Sequence, residues 1–504
     1  MGKLRLFAVA AAAAVCLGAL PLAGGTATAS TGATKNYLVV FNGDYALDGT
    51  YALGGNYALY HDYALSLVSG AGGTVTSDLS KQIGVMVVQS TNALFAEVMR
   101  SYALVDDAAR DWSWQGIPES GAGAQPFTSD RGGGGPEPHA DPLEPTQWDM
   151  QQIRAPAAHG VQAGWRAVDV GVLDSGIDGH HVDFTDGGVP GGASNVDCAR
   201  GHDSLAVLPA GVAVGTPDPC VDNQFHGTHV AGTIAAQANG IGIVGVAPNV
   251  TLVPVKVCDT TGYCYVSAVV DGITYAGDQK LDVINMSFFV DDNTFQTSTE
   301  FKCMSDPQQR TFRKSVERAI QYARNQGVTP VAALGNEDQD LAHPVDENGQ
   351  AIENECRVVP AETPGVVGTM ALGPQKEKAG YSNYGSGATD VGAPGGNGTT
   401  GDCTTTVPST FPGDLYFCLQ GTSMASPHAT GVAALIESQY GTLGSDGDVK
   451  LSPQTVESYL QSTAVDQGAP GYDECFGNGR IDALRAVQHD TGRLYDPATP
   501  PCAE

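Results

Sequence analysis

Four short segments carry the residue types of hydrolytic chemistry: Val172-Leu173-Asp174-Ser175-Gly176-Ile177-Asp178, His226-Gly227-Thr228-His229-Val230-Ala231-Gly232, Ala333-Leu334-Gly335-Asn336 and Gly421-Thr422-Ser423-Met424-Ala425-Ser426-Pro427-His428. In chain order they offer an acid, a base, an amide donor and a nucleophile. A serine hydroxyl attacks poorly at its free pKa, so it needs a base within hydrogen-bond reach and an orienting group behind that base. Asp174 can hold one imidazole nitrogen of His226 and stabilise the imidazolium, while the other nitrogen takes the proton of Ser423. The amide of Asn336 and the backbone N–H of Ser423 supply two donors for the oxygen that turns negative on an attacked carbonyl. Alone, each segment is more often a cap or a turn; together they point to acyl transfer. Ser423 is expected to open a helix of small residues, with Pro427 inside its first turn, where a missing N–H costs little. The amino end of that helix favours negative charge at the same place.

Elements that could position these groups follow from Gln147 onward, where apolar runs of strand length alternate with helical patterns, as a parallel sheet with crossover helices requires. The runs are 168–173, 251–257, 281–286, 328–334 and 365–372. Asp174, Asn285, Ser287 and Asn336 fall at or just past the ends of runs, and in an open parallel sheet the ligand crevice lies beyond the carboxyl ends of the strands. Upstream, residues 30–115 hold strand-like runs at Tyr37–Phe41 and Val85–Gln89 and a helical pattern from Asn92 to Tyr102. Between the two regions, residues 116–146 are rich in Gly and Pro, including Gly132-Gly133-Gly134-Gly135-Pro136, and are expected to form an exposed linker without regular structure that invites proteolysis. Tyr-Ala-Leu recurs at Tyr45, Tyr51, Tyr57 and Tyr63 with a period of six. Side chains six apart share no helix face, and four short copies are too few for a solenoid, which leaves a local duplication in a loop or hairpin.

Of 504 residues, 25 are basic and 55 acidic, for a formal charge of −30. No basic run appears anywhere, which argues against nucleic acid and anionic membrane as partners. Lys3 and Arg5 precede an apolar stretch to Leu22 and then Ala27-Thr28-Ala29, the pattern of an export signal over residues 1–29; the stretch is short for a bilayer span. Setting aside Cys16 within it, the 11 cysteines become ten. An even number in an exported chain implies disulfides, and sequence neighbours give the pairs Cys198–Cys220, Cys258–Cys264, Cys303–Cys356, Cys403–Cys418 and Cys475–Cys502. No Cys/His spacing typical of zinc occurs.

The order Asp, His, Ser and the texts DSGID, HGTHVAG, AALGN and GTSMASPH resemble the subtilisin family of secreted serine endopeptidases over about residues 147–488. The context Gly-x-Ser-x-Ala, with both partners preceding the serine, differs from that of esterases. The resemblance implies a doubly wound α/β domain over residues 147–490, with a mostly parallel sheet and helices on both faces, and a C-terminal tail over 491–504. It assigns nucleophile to Ser423, base to His226, orienting acid to Asp174 and oxyanion donor to Asn336, leaving His229 and His428 structural. Residues 30–115 resemble the family's inhibitory prodomain, a small ferredoxin-like α+β module, through Gly72-Gly73-Thr74-Val75 and Gln82-Ile83-Gly84-Val85. Its removal would start the mature chain between Gly116 and Gln147. The family's structural calcium implies Asp183, Asn239 and Glu144 as ligands, with the carbonyls of Gln237, Ile241 and Ile243. Peptide binding by strand addition implies Ser287, Phe288, Phe289 and Gly335 at the substrate. Phe288 and Phe289, where relatives carry glycines, either reshape the primary pocket or turn into the core. Protein or peptide substrates and the chain's own prodomain are the implied partners of a monomer that needs no organic cofactor. Two other readings stand beside this one: a relative that kept the fold and lost turnover, and a metal hydrolase using His226 and His229, which lacks the glutamate of H-E-x-x-H.

Overall fold

The computed structural model describes residues 33–45, 51–53, 57–115, 126–128, 141–189, 192–212, 214–290, 301–345, 349–352, 356–445 and 447–496. The leader 1–29, the Gly132–Pro136 run and Cys502 lie outside these residues. The N-terminal module is built from β1 (Lys35–Phe41), a hairpin of β2 (Gly43–Tyr45) and β3 (Tyr51–Leu53), α1 (Tyr57–Gly70), β4 (Gly73–Leu79), β5 (Val85–Ser90), α2 (Phe95–Arg100) and β6 (Val105–Arg110). Its four-stranded antiparallel sheet has the order β4-β5-β1-β6, a ferredoxin-like βαββαβ arrangement with the hairpin inserted. The helix expected over 92–102 is shorter, because the ends of that pattern form turns around α2. The Tyr-Ala-Leu copies divide: two form the hairpin, with Tyr45 opposite Tyr51, and the other two lie on α1. One tripeptide therefore serves both geometries, so the surrounding chain decides between them.

The linker is not wholly irregular. β7 (Ser113–Gln115) directly precedes it, and it contains β8 (Phe127–Thr128) and a 3-10 turn at Glu144–Thr146. What the Gly/Pro content hid is that short segments gain their structure from partners far along the chain: β7 pairs with β12 (Tyr263–Tyr265), and β8 pairs with β20 (Leu415–Leu419).

The large domain starts with α3 (Trp148–Gln152) and α4 (Ala155–His159). Next come β9 (Asp169–Asp174), β10 (His202–Asp203), α5 (His226–Ala235), β11 (Thr251–Lys256), β12, α6 (Val266–Gln279), β13 (Val283–Met286), β14 (Phe301–Lys302) and α7 (Pro307–Asn325). It continues through β15 (Thr329–Ala333), β16 (Arg357–Val358), β17 (Val367–Leu372), β18 (Val391–Pro394), β19 (Val407–Phe411), β20, α8 (Thr422–Tyr440), α9 (Pro453–Ser462) and α10 (Ala483–Gln488). Seven parallel strands run in the order β10-β11-β9-β13-β15-β17-β18. The five apolar runs supply the inner five strands, and the short edge strands β10 and β18 escaped the sequence reading. One face packs on α5, α8 and the terminal helices, the other on α6 and α7. Helix α7 shows why: Asp306 caps its first N–H groups, Pro307 opens it, and Phe312, Val316, Ala319, Ile320 and Ala323 form one buried stripe. Four of the expected disulfides are present, Cys198–Cys220, Cys258–Cys264, Cys303–Cys356 and Cys403–Cys418. Cys475 is also disulfide-bonded. No helix among the described residues is long and apolar enough to cross a membrane.

The module's sheet covers its own helices with one face and lays the other on α6 and α7. Polar contacts close that interface. The Asp111 carboxylate accepts from the backbone N–H and hydroxyl of Ser267 in the first turn of α6. Asp107 meets Arg310 at 2.6 Å, and Asp106 meets Lys314 at 2.9 Å and Arg318 at 3.2 Å. Those three cations, four residues apart, line one side of α7.

Candidate active site

Asp174 ends β9 and His226 begins α5, and both are fully buried. Nδ1 of His226 lies 2.9 Å from each carboxylate oxygen of Asp174. That bond fixes the ring so that Nε2 is the nitrogen left for proton transfer. The entry to α5 is held by residues the sequence reading did not single out. The buried carboxylate of Asp222 accepts from the N–H groups of Gln224, Phe225 and Thr228 and from the Thr228 hydroxyl, and Ser175 Oγ joins it at 2.9 Å. Phe225, just before the base, is thereby kept at φ +128°, a backbone conformation that a bulky residue holds only when its surroundings impose it. Glycine is required at 227, where a Cβ would collide with the Gly176 carbonyl oxygen.

Ser423 sits in the first turn of α8, 2% exposed. Its Oγ donates to the carbonyl of Ser287 at 3.1 Å, while Ser287 Oγ donates to the Ser423 carbonyl at 2.8 Å. Ser287 directly follows β13, whose Met286 pairs with Leu173 of β9, so the residue that holds the Ser423 hydroxyl and the Asp174 that holds His226 lie at the carboxyl ends of adjacent strands. Pro427 lies inside α8 rather than in its first turn, which corrects the expectation. Its absent N–H is the one that would have bonded the Ser423 carbonyl, and Ser287 Oγ supplies the donor instead. Asn285 extends the brace: its Oδ1 accepts from Ser426 and Thr430 of α8, and its Nδ2 donates to Ser287 Oγ.

Asn336 follows β15 and reaches α8, where its Oδ1 accepts from Thr422 N–H at 2.8 Å and from the Thr422 hydroxyl at 3.0 Å. A backbone N–H can only face the amide oxygen, so the Nδ2 donors point away from that anchor. Gly335 holds φ +105°, and a Cβ there would collide with Asn383 Nδ2. Gly335 is therefore a backbone requirement beside the site. Phe288 and Phe289 are buried in the core with Val290, which is the core alternative. On β12 the module's β7 is bound antiparallel as an added strand.

His229 and His428 have other partners. His229 Nε2 faces the Phe417 carbonyl at 3.2 Å, and burial pushes its pKa down to about 3, so the ring is neutral. His428 bonds the Met424 carbonyl and, at 3.0 Å, Asp149. Nδ1 of His226 and Nε2 of His229 thus hold different partners, and among the described residues no group of three His, Cys, Asp or Glu is placed to hold a metal ion.

Of the expected cation ligands, Asp183 is buried, with Oδ2 accepting from Ile243 N–H at 3.1 Å and Oδ1 without a hydrogen-bond partner. Burial pushes its carboxyl well above the usual range. Asn239 donates through Nδ2 to the carbonyls of Val182 and Thr185 and accepts through Oδ1 from Ile241 N–H. Glu144 is only half-buried on its 3-10 turn. Asp141, missed from sequence because it lies within the linker, is buried against the same loop, and its Oδ1 accepts from the N–H groups of Asn239, Gly240 and Ile241. A buried carboxylate with an orphaned oxygen fits a hard cation.

The profile of the subtilase family matches residues 166–479. This chain belongs to the subtilase family. It is 34% identical over 341 residues to subtilisin NAT of Bacillus subtilis subsp. natto, covering 68% of this chain and 71% of that one. It is equally 34% identical to the subtilisin of Bacillus pumilus, covering 98% of that sequence. Among solved structures it resembles the epidermin leader peptide processing serine protease of Staphylococcus aureus, with a TM-score of 0.66 at 19% identity over 90% of this chain and 98% of that one. This subtilase is a serine-type endopeptidase, acting on protein or peptide substrates.

Proposed function

We propose that the chain is an exported zymogen whose N-terminal module must be removed before Ser423 can act. In this reading His226 takes the Ser423 proton as Oγ attacks the scissile carbonyl. Asp174 stabilises the imidazolium, and Asn336 Nδ2 with the Ser423 N–H receives the oxyanion. His226 then protonates the leaving amine, and water repeats the sequence on the acyl-enzyme. The observation that carries the assignment is the Asp174–His226 bond at the edge of β9, one strand from the Ser423 hydroxyl held by Ser287. Support for inhibition comes from β7, which occupies the β12 edge as an extended peptide would. Support for export comes from the leader pattern and the disulfides.

Asp183 and Asn239, with the carbonyls of Gln237, Ile241 and Ile243, are proposed to hold calcium, which would tie this loop to Asp183. The test of the function treats purified processed protein with a phosphonylating serine reagent, reading casein hydrolysis. Covalent label on Ser423 with loss of activity is expected. An active preparation that takes no label would overturn the assignment. Loss to a chelator that calcium restores is expected from the cation site alone.

A further inference from the structure

The chain changes partner between β7 and β8. At Ser113–Gln115 it still belongs to the N-terminal module and lies against β12, whereas at Phe127–Thr128 it has become the third strand of the β19–β20 hairpin in the catalytic domain. Phe127 packs on Tyr416 with ring centroids 6.2 Å apart, and it completes a small apolar cluster with Ala236, Ile243 and Leu143. Farther along, Asp141 gathers the three N–H groups of residues 239–241, and Leu143 N–H donates to the Gly242 carbonyl at 2.8 Å. Gln147 closes the same loop with a reciprocal pair to Val244 at 2.9 and 3.0 Å. Every one of these contacts is made to the catalytic domain.

A cut close to α3 would strip Phe127 from the cluster, leave β20 an open edge and remove the acceptor of three N–H groups, that of Ile241 buried. We infer that the cleavage releasing the module falls upstream of Phe127, and that residues 126–128 and 141–147 stay with the mature enzyme as an N-terminal clasp on β20 and the 237–244 loop. The inference rests on the proposed removal of the module and fixes which side of Phe127 the cut lies on.

Terminal sequencing and intact mass of the secreted, processed wild-type protein test it. The expected amino terminus lies at or before Phe127. A terminus beyond Thr128 would overturn the inference while leaving module removal intact, and a wild-type chain that stays uncut yet active would overturn module removal and the clasp with it. A second measurement compares mature Phe127→Ala with wild type. Its half-life of thermal inactivation should fall several-fold, roughly threefold or more, while kcat/KM on a short peptide stays within about twofold. An unchanged half-life would refute the clasp even if the terminus is where expected.

Discussion

Glu437, on the last turns of α8, is a buried carboxyl with no hydrogen-bond partner for either oxygen. Burial, with the nearby charges of Asp282 and Asp448 adding to it, pushes its pKa up to about 10 from an ordinary 4.5. Below pH 4.5 the folded and unfolded chains both carry the proton, and the group is neutral to stability. As pH rises the unfolded chain ionises and the folded chain does not, so folding must retain a proton that the free side chain has given up. Stability is therefore fully present at low pH and is lost progressively through the folded pKa. The penalty is about 1.4 kcal/mol per pH unit, or about 3 kcal/mol at pH 7. Glu437→Gln keeps the shape and polarity of the protonated acid without its titration. Denaturant unfolding of the full chain in a Ser423→Ala background, where self-digestion cannot interfere, should show the Glu437→Gln variant gaining on its parent steadily from about pH 5 to about pH 9. A difference between the two that does not change with pH would refute the buried-acid argument. Asp282, raised to about 8 mainly by burial, adds the same sign in both chains and cancels from the comparison.

Ser423→Ala should leave the precursor uncut and reduce peptide turnover by about 10⁴-fold or more, a scale known for subtilisin rather than worked from this geometry; gel and active-site assays check it. Asn336→Ala should lower kcat by about 10²–10³-fold, again on the subtilisin scale, with KM little changed in steady-state kinetics. Gly335→Ala should act on the same step from a distance: the Cβ collides with Asn383 and the φ of +105° adds about 1–3 kcal/mol of strain, displacing Asn336 and lowering kcat. Arg310→Ala should strand Asp107, whose side chain is fully buried in the interface, and weaken module docking by about 3 kcal/mol, read as earlier onset of activity during maturation.

The candidate catalytic groups were legible because each sits in a contiguous text tied to one element: Asp174 and Asn336 follow apolar runs, and His226 and Ser423 open helices. Asn285, placed by its run at the crevice, showed its position but not its grip on α8, and Asp222 and Ser175 act through tertiary partners, so nothing in their own spacing announced them as braces for His226. The same holds for Asp141 and Phe127, hidden in a Gly/Pro-rich stretch whose short strands exist only against β20 and the 239–241 loop. Strands β10 and β18 are too short to show a pattern. Pro427 was placed a turn too early because its role depends on Ser287, a residue on another element. The split of the Tyr-Ala-Leu copies between hairpin and helix is the plainest case of context overriding composition.

In the proposed mechanism, the mutual grip of Ser287 and Ser423 means that the attacking hydroxyl starts from a bond to a main-chain oxygen that cannot take its proton outright. On that reading the hydroxyl must exchange the Ser287 carbonyl for the imidazole before it can attack, so the first chemical step begins by breaking a bond that the fold itself supplies.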